Sequence, residues 1–242
     1  MAYIWINPVT DSMYEPDVLN TFLHHHGYKR FYTSGDWLTI VKQKYLSVVE
    51  QTSYPVMDVR CPKVKELLDE VDMSSDTMSS DIVSSDVVSS DLVSPDIAAS
   101  DITISDITIP EIQPILIHCG IEGSEREDLR SEEKIITTPC RALADMGNAL
   151  KLKNTRFVPW NQFIELAGSD SISIEPLGTP LEKSPIPPGF FAELGLRTVS
   201  LTGEEEIRKY FKKPTRDEVQ IVEMLFCKDG CHNGDGIRKY EK

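Results

Sequence analysis

Four of the five cysteines lie at, or one residue past, the ends of short apolar runs, and no other feature constrains the fold as strongly. Cys61 follows residues 54–59 (YPVMDV) and Cys119 follows 114–118 (PILIH). Cys140 comes after 134–138 (KIITT), and Cys227 after 219–226 (VQIVEMLF). Each run is short, rich in β-branched or large apolar residues and bounded by Pro or Gly, which reads as a strand. Further strands are predicted at 2–7, 154–160 and 196–201. Helical spacing of apolar residues is found at 36–50, 63–71, 141–150 and 203–212. Strands alternating with helices predict an α/β fold with mostly parallel sheets flanked by helices. In such folds the C-terminal edge of the strands is where ligands bind, and the cysteines collect at that edge.

Local signals support several of these elements. Asp36, after Gly35, is placed to N-cap the 36–50 helix. Residues 16–23 read as a helix that Gly27 stops. His24, His25 and His26 are consecutive, so a helix fans them over different faces and they suit a solvated helix end better than a chelate. Between 74 and 108 Asp recurs at 76, 81, 86, 91, 96, 101 and 106, a period of five. That period matches neither helix nor strand. A pentapeptide β-solenoid would need more copies to bury a core, so the segment reads as a flexible insertion without chemistry of its own. Residues 168–190, rich in Ser, Pro and Gly, read as a long ordered loop. Three parts follow: an α/β part over 1–73, the repeat insertion over 74–108, and a second α/β part over 109–242.

The formal net charge is −14, and seven of the acids lie in the repeat. An acidic chain is repelled by phosphate backbones and anionic lipid, which disfavours nucleic-acid binding. No apolar run reaches the roughly 18 residues of a membrane span, so no membrane insertion is expected. The N-terminus has no basic region followed by a long apolar core, unlike a signal peptide. A cytoplasmic setting follows as the expectation, where thiols stay reduced and five cysteines suit metal or redox chemistry better than disulfides.

Cys227-Lys228-Asp229-Gly230-Cys231 places two thiols three residues apart, and Gly230, Gly234 and Gly236 allow a tight loop close to a metal centre. Backbone N–H groups in such a loop can hydrogen-bond cluster sulfurs. The stretch 223–236 resembles the third cluster-binding motif of iron-only hydrogenases, E-x-M-x-C-x-x-G-C-x-x-G-G-G. Glu223, Cys227, Gly230, Cys231, Gly234 and Gly236 are in register; Met224 is one place early and Asp235 replaces the middle glycine. The family's second motif, M-P-C-x-x-K-x-x-E, is matched by Pro139-Cys140, with Leu143 at the lysine and Met146 at the glutamate. Its first, T-S-C-C-P-x-W, is matched by Cys61-Pro62, with Arg60 at the proton-transfer cysteine and Val64 at the tryptophan.

The resemblance implies a hydrogenase-like two-lobed arrangement and one [4Fe–4S] cluster on Cys61, Cys140, Cys227 and Cys231. It also implies electron transfer or redox sensing with a redox partner protein. The departures at Arg60 and Leu143 remove a proton relay and a polar partner for diiron ligands, so neither a diiron subsite nor hydrogen turnover is expected. Two other functions fit the same residues: an active or degenerate iron-only hydrogenase, and a four-cysteine zinc module. Cys119 is read as a buried apolar residue or an alternative ligand in place of Cys61. His118 and His232 are ordinary loop residues, or in the case of His232 a hydrogen-bond donor to the cluster.

Overall fold

The computed structural model describes residues 1–76, 107–167, 174, 188–212 and 218–237. Most of the Ser/Asp repeat and most of the 168–190 loop lie outside the described residues. The chain is α/β and builds two sheets. In the first, β2 (Tyr28–Arg30), β1 (Ala2–Trp5), β4 (Lys134–Thr138) and β5 (Thr155–Pro159) lie in that order. In the second the order is β3 (Val56–Asp58), β7 (Ile221–Leu225), β6 (Thr198–Thr202). Every pairing between these strands is parallel.

Parallel sheets need both faces covered, and four apolar clusters do this. On one face of the four-stranded sheet, α1 (Pro8–Asp11), α2 (Pro16–His25) and α7 (Trp160–Ala167) bury Val9, Leu19, Phe22, Leu23, Trp160 and Phe163 against Ile4, Ile135 and Val158. On its other face, α5 (Ile115–Glu125) and α6 (Arg141–Ala149) pack Leu116, Ile117 and Ala144 onto Ile136 and Phe157. The three-stranded sheet is covered by α4 (Pro62–Asp76) and α8 (Glu204–Phe211) on one side, through Val64, Leu67, Leu68, Ile207 and Tyr210. Val41, Tyr45 and Val49 of α3 (Trp37–Gln51) cover the other, together with Phe191. Full burial of each such side chain contributes roughly 1.5–3 kcal/mol.

Each sheet takes strands from both sides of the repeat. The repeat leaves from α4 and returns at Thr108, which bridges Val56 at the edge of β3; Met57 N–H donates to Thr108 O at 2.8 Å. The described chain thus stops at the end of α4 and resumes beside the edge strand β3.

One predicted strand is a helix. Residues 114–118 do not form a strand: Ile115 opens α5, with Pro114 in the N-cap position. Its buried positions, 116, 117, 119, 120 and 123, follow helical spacing. The apolar run is too short for its period to separate the two structures. Tertiary contact decides: a Cβ at Gly120 would lie 2.2 Å from the Phe157 ring, and one at Gly123 2.8 Å from Phe31. The helix can approach the sheet this closely only because of its glycines. Cys119 accordingly lies in mid-helix, away from any strand end.

Candidate metal centre

The strand-to-helix turns place two cysteines alike. Cys61 follows β3 and its carbonyl accepts from Val64 N–H and Lys65 N–H at 3.0 and 3.2 Å, so it occupies the N-cap of α4. Cys140 follows β4 and is the N-cap residue of α6. Helix N-termini favour negative charge, which suits a thiolate. Cys227 follows β7, the neighbour of β3. Asp229 and Gly230 then take positive φ, 63° and 119°, and turn the chain to Cys231, which packs partly buried against the core of the four-stranded sheet. The site thus lies where the C-terminal ends of the two sheets meet.

Asp235 ties the three cysteine-bearing loops together. Its Oδ1 accepts from Arg141 N–H at 2.9 Å, the first N–H of α6, next to Cys140. Its Oδ2 pairs with Lys63 Nζ at 2.9 Å, two residues beyond Cys61. Gly236 N–H donates to Pro139 O at 3.0 Å, and Gly236 O accepts from Asn161 N–H at 2.9 Å. The fit is close: a Cβ at Gly234 would lie 2.2 Å from Pro139 O, and one at Gly236 2.9 Å from Cys140 N. The residue that breaks the three-glycine pattern is therefore the one that bonds to both of the other loops.

The thiols share one electrostatic environment. Burial pushes Cys140 up to about 12, and the charges of Cys61, Asp235 and Cys227 add to this while Leu143 N–H opposes it. Burial also raises Cys231 well above an ordinary thiol, reinforced by Cys61, Cys227 and Cys140 and opposed by Arg60. Cys61 is raised by burial, against hydrogen bonds from the backbone of Phe226, Val64 and Lys63. Burial thus favours the neutral thiols of Cys61, Cys140 and Cys231, and thiolates there need a compensating cation.

Two acids support the surrounding wall. Glu223 of β7, buried, accepts from Phe190 N–H and Ser200 Oγ, each at 2.8 Å, and from Gly189 N–H. It anchors the incoming segment at 188–191. Asp58 holds the Arg60 guanidinium through Nε at 2.8 Å and Nη2 at 2.6 Å, and also accepts from Tyr45 OH at 2.8 Å. Leu143 and Val64 are buried, and Met146 packs partly buried against the α5–α6 side of the four-stranded sheet.

The structure brings Cys61, Cys140, Cys227 and Cys231 to one region and leaves Cys119 apart. Cys119 is buried in α5 with Thr33 Oγ1 3.9 Å from its sulfur. His118 stacks on Trp37 with ring centroids 4.8 Å apart. His24 and His25 are exposed at the end of α2, and His26 packs on Phe22. His232 Nδ1, next to Cys231, is buried with no hydrogen-bond partner among the described residues. Among the described residues no group of three or more His, Cys, Asp or Glu side chains is placed to hold a metal ion. No helix among the described residues is long and apolar enough to cross a membrane.

Sequence motifs pointed to the cysteines and to Glu223. Asp235 and the Asp58–Arg60–Tyr45 group were missed as site residues. An acid two positions before Arg60, at the end of β3, was the available signal for the second; for Asp235 the signal was its intrusion between two glycines. No protein-family model, curated protein or solved structure matches the chain.

Proposed function

We propose that this chain holds one [4Fe–4S] cluster on Cys61, Cys140, Cys227 and Cys231, as a hydrogenase-like protein of one-electron transfer or redox sensing that does not turn over hydrogen. The observation that carries the reading is that four thiols from three strand-end loops feel one another's charge, while Asp235 bonds those loops to each other. When bound, such a cluster accepts or releases one electron at a potential set by hydrogen bonds and burial. The chain's part is to hold four sulfurs, direct N–H groups of Phe226, Val64 and Lys63 at Cys61, and exclude water. A zinc ion takes four sulfurs at about 2.3 Å from one point. A cubane takes its ligands at separate corners. Leu143 offers no polar group to a diiron unit, and Arg60, bound to Asp58, has no proton to relay at neutral pH. The electron partner is proposed to be another protein.

Anaerobic reconstitution tests this. Wild type is expected to take up one cubane's worth of iron and sulfide with broad visible absorbance, and Cys227→Ala to lose both. Zinc as the bound metal in anaerobic preparations would replace this reading with the zinc module. Infrared carbonyl and cyanide bands after maturation would replace it with a hydrogenase.

A further inference from the structure

An unpaired sheet edge invites pairing with a further strand, and proteins blunt such edges with proline, charge, shortness or a covering group. The edges of β5, β3 and β2 are blunted. Lys134 N–H donates to Asn154 O, which turns the backbone of Thr155, Phe157 and Pro159 away from β4. Thr155 N–H donates to Leu152 O at 3.3 Å, and Pro159 has no N–H. The Asn148 side chain takes both groups of Phe157, Oδ1 accepting from its N–H and Nδ2 donating to its carbonyl, each at 2.8 Å. On β3, Thr108 N–H donates to Pro55 O at 2.9 Å, and Thr108 O accepts from Met57 N–H at 2.8 Å. The strand β2 has only three residues and carries Lys29 and Arg30.

The strand β6 differs. Its five residues, Thr198–Thr202, include no charge and no proline. Ile221 N–H donates to Arg197 O and Gly203 N–H to Leu225 O, so the odd-numbered residues bond to β7 and Thr198, Ser200 and Thr202 turn their backbone outward. Glu206 Oε2 takes Thr202 N–H at 2.9 Å. The N–H groups of Thr198 and Ser200 have no partner among the described residues, and Ser200 is exposed. We propose that two copies of this chain associate along β6, by antiparallel pairing across a two-fold axis at Ser200. The order of charges selects a second copy as the partner. Arg197 precedes the strand, Glu204, Glu205 and Glu206 follow it, and all four are exposed. Antiparallel pairing about Ser200 sets Thr198 opposite Thr202 and Arg197 opposite Gly203, beside the acids of the second copy. The two-fold axis repeats that match, as a self-complementary contact requires. Each Ser200 N–H then donates to the other Ser200 carbonyl, and each Thr198 N–H to the other Thr202 carbonyl. Glu206 competes for the remaining N–H, that of Thr202, and so limits the length of the contact.

This inference does not depend on the metal centre, and the test uses the full chain without reconstitution. Sedimentation velocity is expected to show monomer passing into dimer as the concentration rises from the low micromolar range into the hundreds of micromolar. Over the same range, amide exchange at Thr198 and Ser200 should slow by about tenfold. Arg197→Glu sets like charges together at both ends of the contact and should weaken association by about tenfold. Adding Glu205→Arg to that variant restores the match and should bring association back to within about threefold of wild type. A chain that stays monomeric throughout overturns the inference. So does a dimer in which Thr198 and Ser200 exchange as fast as in the monomer, or one that Arg197→Glu leaves unchanged. If Arg197→Glu does not fold, amide exchange of the wild type decides: slowing at these two residues with concentration supports the inference, and none overturns it.

Discussion

Gly234→Ala separates a local effect from a tertiary one. Gly234 has φ −67° and ψ 149°, a conformation open to any residue. On backbone entropy alone, alanine should stabilise by about 0.4–1 kcal/mol. The structure predicts the opposite sign. The new Cβ would lie 2.2 Å from Pro139 O and 3.0 Å from Cys231 O, both backbone atoms that cannot rotate away. Ordinary contact is about 3.5 Å, so the third loop must lift from the second by about 1 Å. Such overpacking costs about 1–3 kcal/mol. The lift also strains the Gly236–Pro139 and Arg141–Asp235 hydrogen bonds, each contributing about 1 kcal/mol. After the entropic gain, a net loss of about 2–3 kcal/mol is expected, or about 4–12 °C in melting temperature for a chain of this size. Thermal denaturation of the metal-free protein reads the stability, and iron and sulfide content after reconstitution reads the site. Gly27→Ala is the control: φ is +77° with nothing within 4 Å of the added Cβ. It should cost about 1–2 kcal/mol through backbone strain alone and leave cluster loading unchanged. If Gly234→Ala is as stable as wild type and loads fully, the close packing of these loops is not what assembles the site.

The other predictions concern separate contacts. Asp235→Ala should cost about 1–1.5 kcal/mol, mostly from the lost helix cap, with a few tenths from its half-exposed pair with Lys63. Asp235→Asn, which keeps an acceptor for Arg141 N–H, should cost only the smaller part in urea denaturation. Burial opposes the charge of Asp235, but Arg141 N–H and Lys63 hold its carboxyl below the ordinary value. Its contribution is therefore present above about pH 4 and is lost as pH falls through the lower folded value, so the Ala variant and wild type should converge in strong acid. Burial pushes the Cys119 thiol up to about 12 against the Thr33 hydroxyl. Stability should be intact below about pH 9 and fall as pH rises toward 12, by at most about 1.4 kcal/mol per unit from this group. Urea midpoints from pH 7.5 to 10.5 should fall less steeply for Cys119→Ala. Gly147→Ala, in the last turn of α6, would gain at most about 1 kcal/mol from propensity. Its Cβ would meet Phe157 Cγ at 2.3 Å, so a net loss is expected by thermal melting, relieved in the double variant with Phe157→Leu.

Much of the local structure was legible without coordinates. The predicted strand at 134–138 is the observed β4, and Asp36 caps α3 by accepting from Thr39 N–H at 3.1 Å. Both depend on residues a few positions apart, where periodicity and capping chemistry act. The strand, cysteine, helix order at Cys61 and Cys140, and the strand before Cys227, were visible for the same reason. Residues 114–118 were misread because a short apolar run suits a strand and a buried helix equally. The contacts that make it α5 come from Phe31 and Phe157, far along the chain. The division of strands between two sheets, each drawing on both sides of the repeat, also needed pairing partners that no local pattern names. The sequence alone determined an α/β chain with thiols at its strand ends. Only the tertiary structure put Cys119 in a helix, away from the strand ends, and carried Asp235 to Lys63 and Arg141 to join three loops. Backbone torsions and apolar period are properties of neighbours, whereas a carboxylate's choice of partner 94 or 172 residues away depends on how the sheets close.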